Sequence, residues 1–164
     1  MSFHENLGKW QKLATVESCP VCNGASMPEG MIDLAELQAS WLNAEPIECI
    51  KGACHVTSKY HGIELFDLSD DELFKLMKDV CLYSKALKNV TKAVKINYEI
   101  HGNSLPHLHV HLYPRYINDP FPGQPIDYRK KRKNIYGKGE YETFIRELRN
   151  EIERLNHIQV NALE

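Results

Sequence analysis

Three histidines alternate with apolar residues in the segment 106–115, Pro-His-Leu-His-Val-His-Leu-Tyr-Pro-Arg. Alternation with a period of two is typical of a half-buried β-strand. It predicts that His107, His109 and His111 share one face of a sheet, while the leucines and the valine between them face the core. Successive side chains on one face of a strand lie about 7 Å apart, so neighbouring imidazoles could act on one bound group.

An imidazole row allows two kinds of chemistry. Neutral imidazole is a metal ligand, and with a pKa of about 6.5 it is also nucleophilic toward phosphorus at neutral pH. A metal hydrolase usually needs a nearby carboxylate, and the first one after the row, Asp119, follows Pro114 and so lies beyond the strand. Gly102, Asn103 and Ser104 precede the row, and their amide and hydroxyl donors suit phosphate oxygens. The sequence therefore favours attack on phosphorus.

Cys19 and Cys22 form a Cys-x-x-Cys pair whose two sulfurs can reach one ion. The chain has five cysteines, an odd number at low density, which does not suggest a disulfide scaffold. We therefore expect a reducing, cytoplasmic location, in which the pair serves metal or redox chemistry. No thioredoxin-like pattern surrounds it, and this favours metal.

Length and charge exclude several classes of protein. The 164 residues fit one domain, and the formal net charge of −2 does not favour nucleic acid or a membrane surface as a partner. No apolar run of about 18 residues is present, so no membrane span is expected. The basic run Arg129–Lys133 allows two interpretations, a solvated linker or a local attraction for polyphosphate or nucleic acid.

Periodicity predicts an α+β domain with a mainly antiparallel sheet of about five strands. Two extended stretches, 31–42 and 47–57, form a hairpin or meander, and alternation over 94–100 predicts another strand. A capping box begins a helix over 69–89 that should lie across the sheet. A second amphipathic helix begins near Tyr141 and packs on the core or on a second subunit.

The segment Gly102–Arg115 resembles the motif of the histidine-triad (HIT) family, His-φ-His-φ-His-φ-φ with φ apolar. Gly-Asn before the row and Asp119-Pro120 after it are similar to bacterial hydrolases of that family. Upstream, Lys59-Tyr-His61 and Leu65 to Asp71 resemble its Pro-Lys-x-His and Leu-x-Asp-Leu segments. The resemblance covers about residues 19–126 and implies a HIT-like fold.

The chain is expected to have three parts, and the resemblance implies a homodimer. Residues 1–18 are expected to be a tail or a short helix, with Trp10 as a docking anchor. Residues 19–126 would form the HIT-like catalytic domain, and residues 127–164 a basic linker and the C-terminal helix.

The resemblance also implies a nucleotide hydrolase. His109 would attack the α-phosphorus of a nucleoside 5′-monophosphate derivative and form a nucleotidyl-histidine, which water then hydrolyses. His111 would bind the α-phosphate oxygens, and Ser104 the phosphate or the departing group. The leaving group could be an amine, a second nucleotide or a similar group, and a purine base is favoured. The implied substrate-binding positions are Asn43, Asn97, Gly102, Asn103, Ser104 and His111.

In metal-containing members of the family, a Cys-x-x-Cys pair and two histidines hold zinc. The matching positions here are Cys19, Cys22, His61 and His107. Two thiolates and two imidazoles make a closed tetrahedral set, which is structural because no position is left to activate water.

Other functions remain open. One is a zinc-stabilised nucleotide-binding interaction module with little turnover; others are a nucleotidyl transferase, a phosphorylase and a catalytic metalloenzyme. The uridylyltransferase branch carries glutamine at the third triad position, so His111 favours hydrolysis. Among the remaining histidines, His55 is expected to have a core or surface role, and His101 could face a leaving group.

Overall fold

A computed structural model describes residues 2–24 and 31–161. Its five strands form one antiparallel sheet in the order β1-β2-β3-β5-β4, which confirms the predicted α+β fold. The strands are β1 (Ile32–Glu36), β2 (Ser40–Ala44), β3 (Cys54–Ser58), β4 (Lys95–Ile100) and β5 (His109–Arg115). The helices are α1 (Leu7–Leu13), α2 (Asp70–Thr91) and α3 (Glu140–Asn161).

The first half of the sheet differs from the prediction. The stretch 31–42, predicted as one extended segment, contains β1, a tight turn and the start of β2, and within 47–57 only the last residues form a strand. The turn is closed by a hydrogen bond from the Leu37 amide to the Ser40 carbonyl, 2.9 Å. It lacks the glycine, proline or asparagine that marks most hairpin turns. No local pattern in the sequence therefore marks this turn.

Helix α2 lies across the sheet as its capping box and apolar stripe predict. The Ser69 hydroxyl accepts from the Glu72 amide, and the Glu72 carboxylate accepts from the Ser69 amide, so both free amides at the helix start are satisfied. The buried face of α2 packs on the same side of the sheet as Val110 and Leu112. The apolar side chains of β5 thus belong to the core, and its histidines face the other side.

Helix α3 completes the core by packing on α2 and β1. Its apolar positions, among them Phe144 and Leu148, are buried in the same cluster as the sheet. The Arg149 guanidinium donates to the main-chain carbonyls of Asp33 and Leu34 on β1, at 2.7 and 3.2 Å. The C-terminal helix therefore covers the β1 edge of the sheet.

None of the helices in the described ranges combines the length and the apolar character that a membrane crossing requires.

The buried carboxylate of Asp79 fastens α2 to the β1–β2 turn. It accepts from the Ala39 amide at 2.8 Å and from the Ser40 hydroxyl at 2.9 Å. Burial raises the pKa of Asp79, although both hydrogen bonds oppose this change.

Replacing Asp79 with alanine leaves two buried donors without their acceptor. We expect Asp79→Ala to lower the free energy of unfolding by about 2 kcal/mol, measured by urea denaturation. The matched control, Lys85→Ala on the exposed face of the same helix, should change it by less than about 0.5 kcal/mol. Equal effects of the two substitutions would contradict this account of the turn.

Candidate active site and metal centre

A cavity of about 220 Å³ lies on the face of the sheet opposite α2. His109 and His111 of β5 form part of its lining, and the loop 101–105 forms another part. The remaining lining residues come from β3, β5, the β2–β3 loop and the segment after β5. They are Glu48, His55, Tyr113, Tyr128 and Lys131.

The hydrogen bonding of His109 leaves one ring nitrogen free. Its Nδ1 lies 2.7 Å from the main-chain carbonyl oxygen of His107. A carbonyl only accepts, so we assign the proton to Nδ1 and the lone pair to Nε2. Burial lowers the pKa of His109, although the hydrogen bond to the carbonyl opposes this. The imidazole is thereby held in the neutral form that can attack an electrophile.

His111 stands among four aromatic rings. The ring centroids of His55, His101 and His109 lie 4.6, 5.0 and 5.0 Å from that of His111, and Tyr113 stacks on it at 5.8 Å. Burial, followed by the three neighbouring histidines, lowers the pKa of His111 to about 2. The side chain is therefore a neutral hydrogen-bonding group in the cavity wall.

The loop 101–105 is held from two sides. Gly102 has a φ of 74°, a conformation that favours glycine, and its carbonyl accepts from the Trp10 indole at 2.9 Å. The His101 Nε2 lies 3.1 Å from a carboxylate oxygen of Glu99. Trp10 thus anchors α1 to this loop, and the loop presents Ser104 to the cavity.

A second cluster lies at the other end of the histidine row. The donor atoms of four residues lie within 4.8 Å of one another, and they are those of Cys19, Cys22, His61 and His107. Cys19 Sγ is 3.3 Å and Cys22 Sγ is 3.8 Å from His107 Nδ1, and Cys22 Sγ is 3.2 Å from His61 Nδ1. The fold therefore brings the donor atoms of all four predicted metal ligands together in one cluster.

The two histidines of this cluster are oriented by main-chain carbonyls. His107 Nε2 lies 2.8 Å from the Ser58 carbonyl, and His61 Nε2 lies 3.1 Å from the Ala14 carbonyl. Each Nε2 is thus the donor, and each Nδ1 directs a lone pair toward the thiols. Burial and the neighbouring Cys19 raise the pKa of Cys22 to about 11. A cation would reverse that effect, which fits a metal site.

Two predicted substrate ligands are not brought to the cavity, because neither Asn43 nor Asn97 is among its lining residues in the described ranges. Asn43 lies in register with His55 on the same face, but it is buried. Its amide group donates to Asp33 at 2.6 Å and accepts from Thr57 at 3.2 Å. Asn97 is half-buried on β4.

The sequence analysis missed several lining residues. His55, for which a core or surface role is expected, lines the cavity beside His111. The alternation of β3 could have placed it there, since β3 and β5 turned out to be neighbours. No sequence pattern predicts that Glu48 and Lys131 line the cavity, because they are far apart in the chain. The fold brings Lys131 Nζ to 3.2 Å from Glu48 Oε1. The carboxylate of the cavity wall, Glu48, is thus far from the histidine row in sequence and close to it in the fold.

A larger and more open groove of about 630 Å³ lies elsewhere on the molecule. It runs between the β2–β3 loop, the segment after β5 and the start of α3. None of the predicted catalytic, substrate-binding or metal residues lines it. The smaller cavity is therefore the candidate active site.

Comparison with known proteins places these features in a family. Residues 35–118 match the HIT domain. A histidine triad protein from Bradyrhizobium japonicum is 26% identical, with 77% of this chain and 97% of that chain covered and a TM-score of 0.68. A hypothetical histidine triad nucleotide-binding protein from Sulfolobus tokodaii is 25% identical, with 84% and 91% covered and a TM-score of 0.62.

A third solved structure is a Zn-bound histidine triad family protein from Mycobacterium smegmatis. It is 18% identical, with 88% of this chain and 99% of that chain covered and a TM-score of 0.64, so it supports the fold. A search of curated proteins finds no significant match. The domain match spans just over half of the 164 residues and includes the strand with the histidine row. This chain therefore belongs to the histidine-triad (HIT) family.

Proposed function

We propose that the protein hydrolyses the bond between the α-phosphorus of a nucleoside 5′-monophosphate and its leaving group. The observation that carries the proposal is the 2.7 Å contact between His109 Nδ1 and the His107 carbonyl, which leaves Nε2 as a free nucleophile. Membership of the HIT family supports a nucleotide-binding, hydrolase-type function. One similar structure is described as nucleotide-binding.

The reaction would proceed in two displacements. His109 Nε2 forms a bond to phosphorus while the bond to the leaving group breaks, which gives a nucleotidyl-histidine. Water then forms a bond to phosphorus, the P–N bond breaks, and the nucleoside monophosphate is released. His111 and Ser104, with the backbone of Gly102 and Asn103, would hydrogen-bond the phosphate oxygens as their charge increases. Contacts from Asn43 and Asn97 would require movement toward the cavity.

Loss of the nucleophile should abolish this activity. We expect His109→Ala to lower nucleotide release by about 10³-fold or more, measured on a panel of adenylate, guanylate and uridylate phosphoramidates and dinucleotides. His157→Gln, an exposed change on α3, should retain wild-type rates. Mass spectrometry of quenched wild-type reactions should detect a nucleotide on His109, and purine substrates should react fastest.

Equal, slow release by wild type and His109→Ala would exclude the hydrolase and support a nucleotide-binding module instead. A nucleoside diphosphate formed in added phosphate would identify a phosphorylase.

We propose that the Cys/His cluster binds one structural zinc ion. In a tetrahedral zinc site, a sulfur and a nitrogen ligand lie about 3.6 Å apart. The distances in the cluster, 3.2 to 3.8 Å, fit this value. Zinc would bind Cys19, Cys22, His61 and His107. It would thereby hold the N-terminal segment against His107, the first histidine of the row, which lies just before β5.

Metal analysis of purified protein should therefore give one zinc per chain. Cys19→Ser should lose the ion and lower Tm, because binding of a structural ion contributes directly to folding. Cys81→Ser, which removes an exposed thiol from α2, should keep both the ion and the Tm. Full zinc content in Cys19→Ser would contradict the assigned ligands.

We also propose that the chain is a homodimer formed through β4. This strand is an edge of the sheet, and Tyr98 and Ile100 are 51% and 40% exposed on the side that α2 covers. On α2 itself, Phe74 and Met77 are 64% and 40% exposed. An open edge beside exposed apolar side chains is typical of a surface that another chain covers.

A charge at this edge should separate the subunits. We expect Ile100→Glu to elute as a monomer in size-exclusion chromatography with light scattering, because a carboxylate would be buried in the interface. Ile117→Glu, at an exposed apolar position after β5, should remain a dimer. A monomeric wild type would contradict this proposal.

A further inference from the structure

The buried carboxylate of Glu48 contacts His55, one of the four histidines that line the cavity. Glu48 is 1% exposed, and its Oε1 lies 3.2 Å from His55 Nε2 and 3.2 Å from Lys131 Nζ. Its second oxygen accepts from the Cys49 amide at 3.1 Å. Burial raises the pKa of Glu48, but the His55 hydrogen bond and the Lys131 charge outweigh burial and hold the pKa below its usual value. Glu48 is therefore a charged acceptor.

The partner of that carboxylate faces the cavity. Since a carboxylate accepts, His55 Nε2 carries the proton of their hydrogen bond, and Nδ1 is left to exchange a proton with a ligand. His55 lies in register with His111 on the neighbouring strand, with ring centroids 4.6 Å apart. Glu48 and His55 thus form an oriented carboxylate–imidazole pair beside the phosphate-binding position.

The orientation of His109 indicates where the leaving group would lie. Nδ1 of His109 contacts the His107 carbonyl, and the two ring nitrogens point away from each other. Nε2 therefore points away from the His107 carbonyl, and His109 lines the same cavity as His111 and His55. In an in-line displacement at phosphorus, the leaving group and later the attacking water lie opposite the nucleophile. Because the His55 ring lies 4.6 Å from that of His111, the proposed phosphate ligand, both groups would be neighbours of His55.

We propose that His55 is a catalytic acid and base, and that Glu48 is its positioning residue. This inference rests on the proposed hydrolase function. In the first displacement, protonated His55 gives its Nδ1 proton to the leaving group as the bond to phosphorus breaks. In the second, neutral Nδ1 takes a proton from water as the new O–P bond forms and the P–N bond electrons return to His109. His55 is again protonated, and the Glu48 carboxylate stabilises that charge.

Two substrates separate proton transfer from a purely structural role. An alkylamine leaves phosphorus only with a proton, whereas p-nitrophenolate leaves without one. In rapid-quench experiments with the alkyl phosphoramidate of AMP, we expect His55→Gln to slow nucleotidylation of His109 by about 100-fold. With the p-nitrophenyl ester of AMP, nucleotidylation should stay within about threefold of wild type, while hydrolysis of the adduct slows by about 100-fold. The nucleotidyl-enzyme should therefore accumulate in the ester reaction.

Glu48→Gln keeps a hydrogen-bond acceptor but removes the charge, so the same pattern should appear with a loss of about tenfold. If His55→Gln does not fold, the Glu48→Gln variant tests the role of His55 in proton transfer. His157→Gln on α3 is the histidine control and should match wild type throughout. Equal slowing of nucleotidylation with both leaving groups, or no accumulation of adduct, would overturn the role of His55. Absence of any His109 adduct in the wild type would overturn the proposed function as well.

Discussion

The structure depends on His107, which serves both ends of the histidine row. Its ring nitrogen Nδ1 lies 3.3 Å from Cys19 Sγ in the Cys/His cluster. Its main-chain carbonyl accepts from His109 Nδ1 at 2.7 Å and so determines which nitrogen of His109 is free. One residue thus links the position of the N-terminal segment to the orientation of the nucleophile. A one-residue shift in the pairing register of β5 would therefore disrupt the Cys/His cluster and the candidate active site together.

A polar row crosses the whole sheet on the cavity face. By strand register, Glu99 pairs with His111, His111 with His55, His55 with Asn43, and Asn43 with Asp33. The opposite face carries the apolar core against α2 and α3. Because polar groups on one face of an antiparallel sheet can interact from strand to strand, a change at Asn43 could reach the cavity through His55 without direct contact with a ligand.

Local patterns in the sequence were sufficient for much of this structure. The alternation around His109 predicted β5 and its two faces, and the Ser69 capping box predicted the start of α2 within a residue. The β1–β2 turn was missed because a distant carboxylate, Asp79, stabilises it in place of turn-forming residues. Such long-range hydrogen bonds leave no local signal.

The candidate site was predictable to a similar extent. The meeting of Cys19 and His107 followed from the resemblance to the HIT family, and the structure brings the two together. The wall made by Glu48 and Lys131 joins residues that are far apart in the chain, one of them from the basic run taken for a linker or an anion-binding segment. Lys131 instead pairs with Glu45 and Glu48, so internal charge pairing explains part of that run.

The Arg149 contact with β1 also has a consequence for assembly. Because its guanidinium occupies carbonyl groups of Asp33 and Leu34, and α3 packs against β1, another strand cannot readily add at that side. Among the described residues, β4 is therefore the one edge of the sheet that stays available for the proposed pairing with a second chain. Growth by strand addition would stop after a single symmetric pairing, whereas a sheet open on both sides could continue into a filament.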